Sequence, residues 1–237
     1  MKIKHMLIFF TRTLLVFLIP FSIFSQENIV STDSVTSKQK YGLRIGLDIN
    51  KLVNSSINDN YNGFEFNADY RISNKLYIAS EIGLTENTEV EEYLNFTSKG
   101  TYIKSGIDFN MYTNWLDMQN MIFAGLRIGY SDFDQTINNY TIYDINNQTW
   151  GQSYINSPIE NKDLSSLWLE LIIGVKAEIF NNLFLGFNLE VKRMINPEIK
   201  DNIQNMYVPG FNRTFDGSSF GVGFGYKLSY LLPIIKK

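Results

Sequence analysis

Residues 167–194 read LWLELIIGVKAEIFNNLFLGFNLEVKRM, and the fold turns on how they alternate. Every second residue of the first arm is apolar: Leu167, Leu169, Leu171, Ile173, Val175, Ala177 and Ile179. Between them stand Trp168, Glu170, Ile172, Gly174, Lys176 and Glu178. The second arm sets Leu183, Leu185, Phe187, Leu189 and Val191 against Phe184, Gly186, Asn188, Glu190 and Lys192. Period-two alternation makes each arm a strand with one apolar and one polar face. Asn181-Asn182 joins them as a hairpin, because Asn tolerates the left-handed backbone of a tight turn. The apolar faces are unbroken, while the opposite faces carry glycines and charges of both signs. That is the pattern of a barrel with lipid outside and a polar lumen inside.

Six further segments alternate in the same way: residues 41–51, 64–72, 76–84, 101–111, 122–130 and 220–230. With the opening hairpin they predict eight antiparallel strands. Their apolar rows, Leu43 to Ile49 in the first of them, contain no Asp, Glu, Lys or Arg, although charged residues make up 19% of the chain. A charge facing lipid at mid-bilayer costs ~2–4 kcal/mol, so a membrane barrel excludes it there. A soluble antiparallel sheet also buries one face and solvates the other. The polar face separates the two readings. It is rich in glycine, and its charges nearly balance: Asp48, Glu65, Asp69, Glu81, Asp108, Glu170, Glu178 and Glu190 against Arg44, Arg71, Lys104, Arg127, Lys176, Lys192 and Lys227. Opposite charges packed in a narrow lumen pair with one another, and glycine makes room for the long side chains.

Connections of alternating length support the membrane reading. Links 73–75, 112–121 and 181–182 are the shorter set; 52–63, 85–100, 131–166 and 195–219 are the longer. Outer-membrane barrels have short periplasmic turns and long extracellular loops. An even strand number returns both ends of the barrel to the short-turn side. All five prolines (Pro20, Pro158, Pro197, Pro209, Pro233) fall outside the expected strands, as a ladder needing every amide requires. Aromatics suggest two interfacial belts: Tyr70, Tyr77, Trp115, Phe180 and Phe184 near the short turns, and Phe64, Tyr130, Trp168 and Phe220 near the loops.

At the start of the chain, Lys2, Lys4 and Arg12 precede the apolar run 14–19, with Pro20 and residues 22–25 as a cleavage region. This reads as a secretory signal over 1–25, too short for a helix that must cross ~30 Å of hydrocarbon. Residues 26–40 are polar and aperiodic, a flexible periplasmic lead-in. The barrel is expected over 41–232, with a tail at 233–237. Removing the three basic residues of the signal takes the formal charge from -3 to -6, which argues against a nucleic-acid partner.

The last segment, Gly223 to Tyr230, resembles the C-terminal signal by which the barrel-assembly machinery recognises its clients, although the chain runs on to Lys237. The complete pattern is similar to uncharacterised outer-membrane β-barrels of the Bacteroidota, small eight-stranded barrels of the OmpA/OmpX type. Residues 41–52, 99–115 and 125–143 carry most of that resemblance. It implies an all-β, up-and-down transmembrane barrel and no biochemical activity.

The chemistry available is narrow. The single histidine, His5, lies in the signal segment, and there is no cysteine. Ser-His-Asp and Cys-His machinery and His-ligated zinc are thereby excluded from the barrel. Glu170, Glu178 and Glu190 could in principle form an acid pair, but they alternate with Lys176 and Lys192, which favours charge pairing. The run Gly221, Gly223, Gly225 lacks the following helix and Lys of a phosphate loop and reads as strand glycine. Asp132 and Asp134 have calcium-ligand spacing without the remaining acids. Tyr140, Tyr143, Trp150 and Tyr154, among many asparagines, are candidate loop contacts for a sugar or protein. No metal and no cofactor are expected. The expected function is a plugged, charge-paired barrel acting structurally or through its loops on an unidentified extracellular ligand. A narrow solute channel and a histidine-independent lipid-modifying enzyme are the alternatives.

Overall fold

The computed structural model describes residues 40–115, 118–142, 153–197, 205–214 and 218–236. The described residues all belong to the second of the two units into which the chain divides, Lys38–Lys237. The expected signal (1–25) and nearly all of the lead-in lie outside the described residues, as do Tyr143 and Trp150.

The second unit is all-β. Its strands are β1 (Lys40–Asp48), β2 (Tyr61–Arg71), β3 (Leu76–Val90), β4 (Leu94–Trp115), β5 (Met118–Ile142), β6 (Ser153–Ile155), β7 (Ile159–Phe180), β8 (Leu183–Pro197), β9 (Tyr207–Val208), β10 (Asn212–Arg213) and β11 (Phe220–Lys236). One helix, α1 (Ile49–Ile57), follows β1. Eight of the strands pair antiparallel in the ring β1-β2-β3-β4-β5-β7-β8-β11, with β11 returning to β1. The ring leaves no free edge along most of its height, which is how a barrel solves the edge-strand problem. From Leu47 the register runs through Phe66, Ile82, Ile103 and Tyr130 to Leu167. In the other direction it runs through Leu228 and Leu185 to Ala177. The two paths meet β7 ten residues apart, a stagger that tilts the strands by about 40°.

Side chains sort by parity. The rows beginning at Leu76, Ile122, Leu167 and Phe220 point out, and large apolar residues such as Ile173, Leu126, Ile82 and Val222 stand exposed around the wall. The opposite parity is buried inside. The β7–β8 turn places Asn182 at φ 65, the left-handed conformation that Asn accepts.

The boundaries differ from expectation in several places. β1 ends at Asp48 rather than Lys51, because the Asp48 carboxylate accepts the amides of Asn50 (2.8 Å) and Lys51 (3.3 Å) and caps α1. The supposed loops 85–100 and 131–166 are largely strand. β3–β4 and β5–β7 continue as paired hairpins well past the ~9–11 residues that a tilted strand needs to cross a bilayer. β4 and β5 are joined through residues 116–117, not the longer link expected. β11 runs on through the supposed tail to Lys236, and Pro233 sits in it where the register with β1 shifts at Tyr41/Gly42. A bulge is where a strand tolerates proline. Pro197 likewise closes β8 instead of lying beyond it.

Candidate functional site

The interior is the candidate site. Its lower layer, towards the short turns, is built on Arg44 of β1. The guanidinium donates Nε to both oxygens of Asp69 (2.9 and 3.0 Å). It lies over the rings of Phe184 (4.7 Å) and Tyr77 (5.5 Å), a favourable placement for a desolvated cation. Lys176 donates to Asp69 at 2.8 Å and reaches Asp108 at 3.4 Å. Arg127 meets Asp108 at 2.7 Å. Arg71 instead closes the bottom, donating to the carbonyls of Ser73 (3.1 Å) and Asn74 (3.0 Å).

The upper layer converges on Lys104 of β4. Its Nζ lies 2.5 Å from Glu81, 3.6 Å from Glu65, 3.6 Å from Glu170 and 4.0 Å from Glu190. Lys227 joins from β11, 2.6 Å from Glu81 and 3.6 Å from Glu65. Lys192 completes the group, 2.9 Å from Glu190 and 3.9 Å from Glu170. Arg127 links the two layers through Glu81 at 3.9 Å. Charges buried so deeply hold only because each finds opposite partners at close range. A cavity of about 20 Å³ lies between the layers, room for a single water.

Two residues grouped with this network stand apart. Glu178 belongs to the short-turn rim, accepting the amides of Gln119 (2.9 Å) and Asn182 (2.8 Å) and facing Lys40 at 3.8 Å. Asp48 chiefly caps α1, with its Oδ2 2.9 Å from where a Cβ on Gly225 would stand. The acids Glu170 and Glu190 do come together, but around Lys104 and Lys192 rather than around an open space.

Other contributors were not singled out from the sequence. Tyr102 donates its hydroxyl to Glu65 at 2.6 Å, Trp168 its Nε1 to Glu170 at 3.2 Å, and Asn188 its amide to Glu190 at 2.6 Å. Lys51, carried inward by α1, lies 3.9 Å from Glu65 and over the Tyr102 ring at 5.3 Å. Trp168, Tyr77 and Phe184 are buried in the lumen, which corrects their assignment to aromatic belts at the bilayer surfaces. Parity was the available signal: all three occupy polar-face positions. Tyr70, Phe180, Phe64, Tyr130 and Phe220 do face outward, and the side chain of Trp115 is outside the described residues. The lumen glycines make room for these rings. A Cβ at Gly129 would lie 2.2 Å from Trp168, and one at Gly83 2.3 Å from the Tyr102 hydroxyl.

Above the charges, residues 205–214 fold into the mouth. Val208 and Phe211 are buried with Tyr102, Phe133, Leu164, Trp168 and Met194. Lys192 donates to the Gly210 carbonyl at 2.8 Å, Ser98 to the Tyr207 carbonyl at 2.8 Å, and the Met206 amide to Gln135 at 2.9 Å. Gly210 takes φ 81, with the Tyr102 ring 2.6 Å from where a Cβ would stand. Burial pushes the Tyr207 hydroxyl well above its ordinary range. This part of the 195–219 connection, expected as a contact loop, is therefore packed inside. Of the candidate loop contacts, Tyr154 is exposed on β6, whereas Tyr140 packs against the cluster of Phe96, Ile137 and Tyr207. Asp132 and Asp134 lie exposed on the upper part of β5, where Asp134 accepts the Asp163 amide at 3.0 Å.

A model of the family described as "Domain of unknown function (DUF6048)" matches residues 6–237. No curated protein matches the chain. Among solved structures the chain is similar to Ail, the attachment invasion locus protein of Yersinia pestis, at 10% identity and a TM-score of 0.40, over 82% of this chain and 98% of that one. It is also similar to Neisserial surface protein A (NspA), at 11% identity and a TM-score of 0.33, over 81% and 92% respectively.

Proposed function

The chain belongs to that family of unknown function, and from this premise we propose that it is an integral outer-membrane β-barrel with a plugged lumen. Its role is structural or surface-interacting, through the long hairpins. The observation that carries the reading is the outward wall. Between the short turns and the level of Leu84, Tyr130, Val191 and Val222, its outward residues are apolar or small and none is charged, and Arg193 beside Phe220 lies above that band. An exposed apolar ring of that extent has no place on a soluble monomer, and lipid is the solvent it fits. Such a chain is exported by its N-terminal signal and inserted by the barrel-assembly machinery. The resemblance of its strand pattern to barrels of the Bacteroidota supports a Gram-negative source.

The paired charges and the packed segment 205–214 support a lumen that passes no bulk solute. They weigh against the narrow channel, and equally against an acid-only lipid-modifying enzyme using Glu170 or Glu190, whose carboxylates face lysines. We therefore propose no enzymatic activity. The surface offered to an extracellular ligand is the pair of hairpins β3–β4 and β5–β7, with Tyr154 among its exposed rings.

Fractionation of the host cell, combined with gel mobility, tests the assignment. The protein should be found in the outer-membrane fraction and migrate faster unboiled than boiled, as closed barrels resist detergent unfolding. A soluble protein with no mobility shift would contradict it.

A further inference from the structure

Among the described residues the barrel wall is incomplete on one side. β1 ends where Asp48 meets Lys227, while β2 begins at Tyr61 and β11 at Phe220. Above Asp48, among the described residues, no strand pairs with residues 220–226 on the β1 side of β11. α1 fills part of the opening and is tied to β2: the Gly63 amide donates to Ser55 Oγ at 2.7 Å, and that hydroxyl lies 3.0 Å from the Gly63 carbonyl. Leu52, Val53 and Ile57 of the helix are exposed beside the apolar belt. Between α1 and β11 lies a cleft of about 520 Å³, within the range that holds a small ligand.

The two walls of the cleft differ in chemistry. Leu189, Val222 and Phe224 come from the outward, apolar side of the barrel. Asn50, Asn54 and Asn212, with Tyr61 and Tyr207, supply amides and phenols on the other side, next to Asn87, whose amide already donates to Glu89 at 3.1 Å. The two charged residues at the cleft are already engaged, Asp48 with the amides of α1 and Lys51 with Glu65. What remains is an uncharged hydrogen-bonding wall beside an apolar one, next to strand amides that need partners at membrane depth.

The geometry points to a lateral binding site for a glycolipid-type amphiphile: one alkyl chain against Leu189, Val222 and Phe224, and an uncharged sugar headgroup among the asparagines. Tyr207 and Asn212 of the packed mouth line the cleft beside the outward Leu189, Val222 and Phe224, so a ligand entering from the outer leaflet is compatible with a plugged barrel. It rests on the outer-membrane reading, which gives the apolar wall its lipid neighbour. An uncharged headgroup is preferred because the wall offers many neutral donors and acceptors and no unpaired charge to hold an ionic one.

The test uses the full chain in phosphatidylcholine vesicles and, as probe, dodecyl glucoside carrying a photoactivatable group on its alkyl chain, with labelled peptides mapped by mass spectrometry. Labelling should concentrate on peptides spanning residues 48–61 and 218–226, relative to equally exposed belt residues Leu126 and Ile128. Unlabelled dodecyl glucoside should compete, with dodecanoic acid weaker by about tenfold, as expected for losing one or two hydrogen bonds, and glucose, which lacks the alkyl chain, weaker still. Asn54→Trp, which fills the cleft, should abolish the concentrated labelling. Asn50→Ala with Asn54→Ala, which leaves the space open, should weaken it by about tenfold while heat-modifiable mobility is kept. Labelling spread evenly around the belt, or equal competition by dodecanoic acid, would overturn the site and leave the outer-membrane reading standing. A belt that takes no label anywhere would overturn that reading, and the site with it.

Discussion

Lys104 shows what a single residue must do in this lumen. Four carboxylates lie within 4.0 Å of its Nζ, and its side chain is 2% exposed. Removing it leaves acids desolvated and short of a partner. Lys104→Met, close in volume, should therefore lower the unfolding free energy in lipid vesicles by ~3–5 kcal/mol. Adding Glu81→Gln to the same protein should recover part of that loss, because one uncompensated charge goes with it. A loss under ~1 kcal/mol in urea titrations of Lys104→Met would show that the network is not holding the barrel together. At this scale the sequence was informative about which residues face inward, since parity alone assigns Lys104, Glu81, Glu170 and Glu190 to one face. It was silent on partners. Which lysine meets which glutamate depends on the ten-residue stagger of the closed ring, and that stagger is a property of all eight strands together.

The elements divide by how strongly the bilayer constrains them. Inside the apolar band each strand must alternate, so the pattern is plain in residues 76–84 or 167–179. Beyond it the outward faces of β3–β4 and β5–β7 are polar, and the inward faces carry Phe96, Phe133, Ile137 and Leu164 against residues 205–214, so the continuous outward apolar row stops and these segments were read as loops although their ladders continue. α1 was hidden for another reason. Ile49 keeps the parity of Leu43, Ile45 and Leu47, so nothing in the periodicity marks the break, and only the capping carboxylate of Asp48 explains it. The segment 205–214 had no periodicity to read at all. Its packing makes a prediction at this scale. Exchanging residues 206–213 for an equal length of Gly and Ser should uncover Trp168, observed alone after Trp115→Phe and Trp150→Phe. Its emission should shift to the red and its quenching by acrylamide should rise several-fold, with heat-modifiable mobility retained. Unchanged emission would mean that the segment does not seal the mouth.

For the whole molecule, the consequence of a ring of eight strands is a small interior. At that number the lumen is just wide enough for side chains to fill, and here they are salt-bridged lysines, arginines and acids under an apolar cap. Planar bilayers containing the protein should show no large, stable conductance. Steady channels whose size changes with Glu170→Gln or Arg127→Met would contradict the plugged lumen and favour a narrow pore. Everything else depends on the orientation of the wall. The chain has no cysteine, so single cysteines at residues 169 to 176 of β7 can carry a nitroxide label in reconstituted vesicles. Collision rates with dissolved oxygen, which concentrates in hydrocarbon, should peak at Leu169, Leu171, Ile173 and Val175 and fall at Glu170, Ile172, Gly174 and Lys176. Peaks on the even-numbered residues, or free access of a water-soluble quencher to the odd ones, would contradict the account.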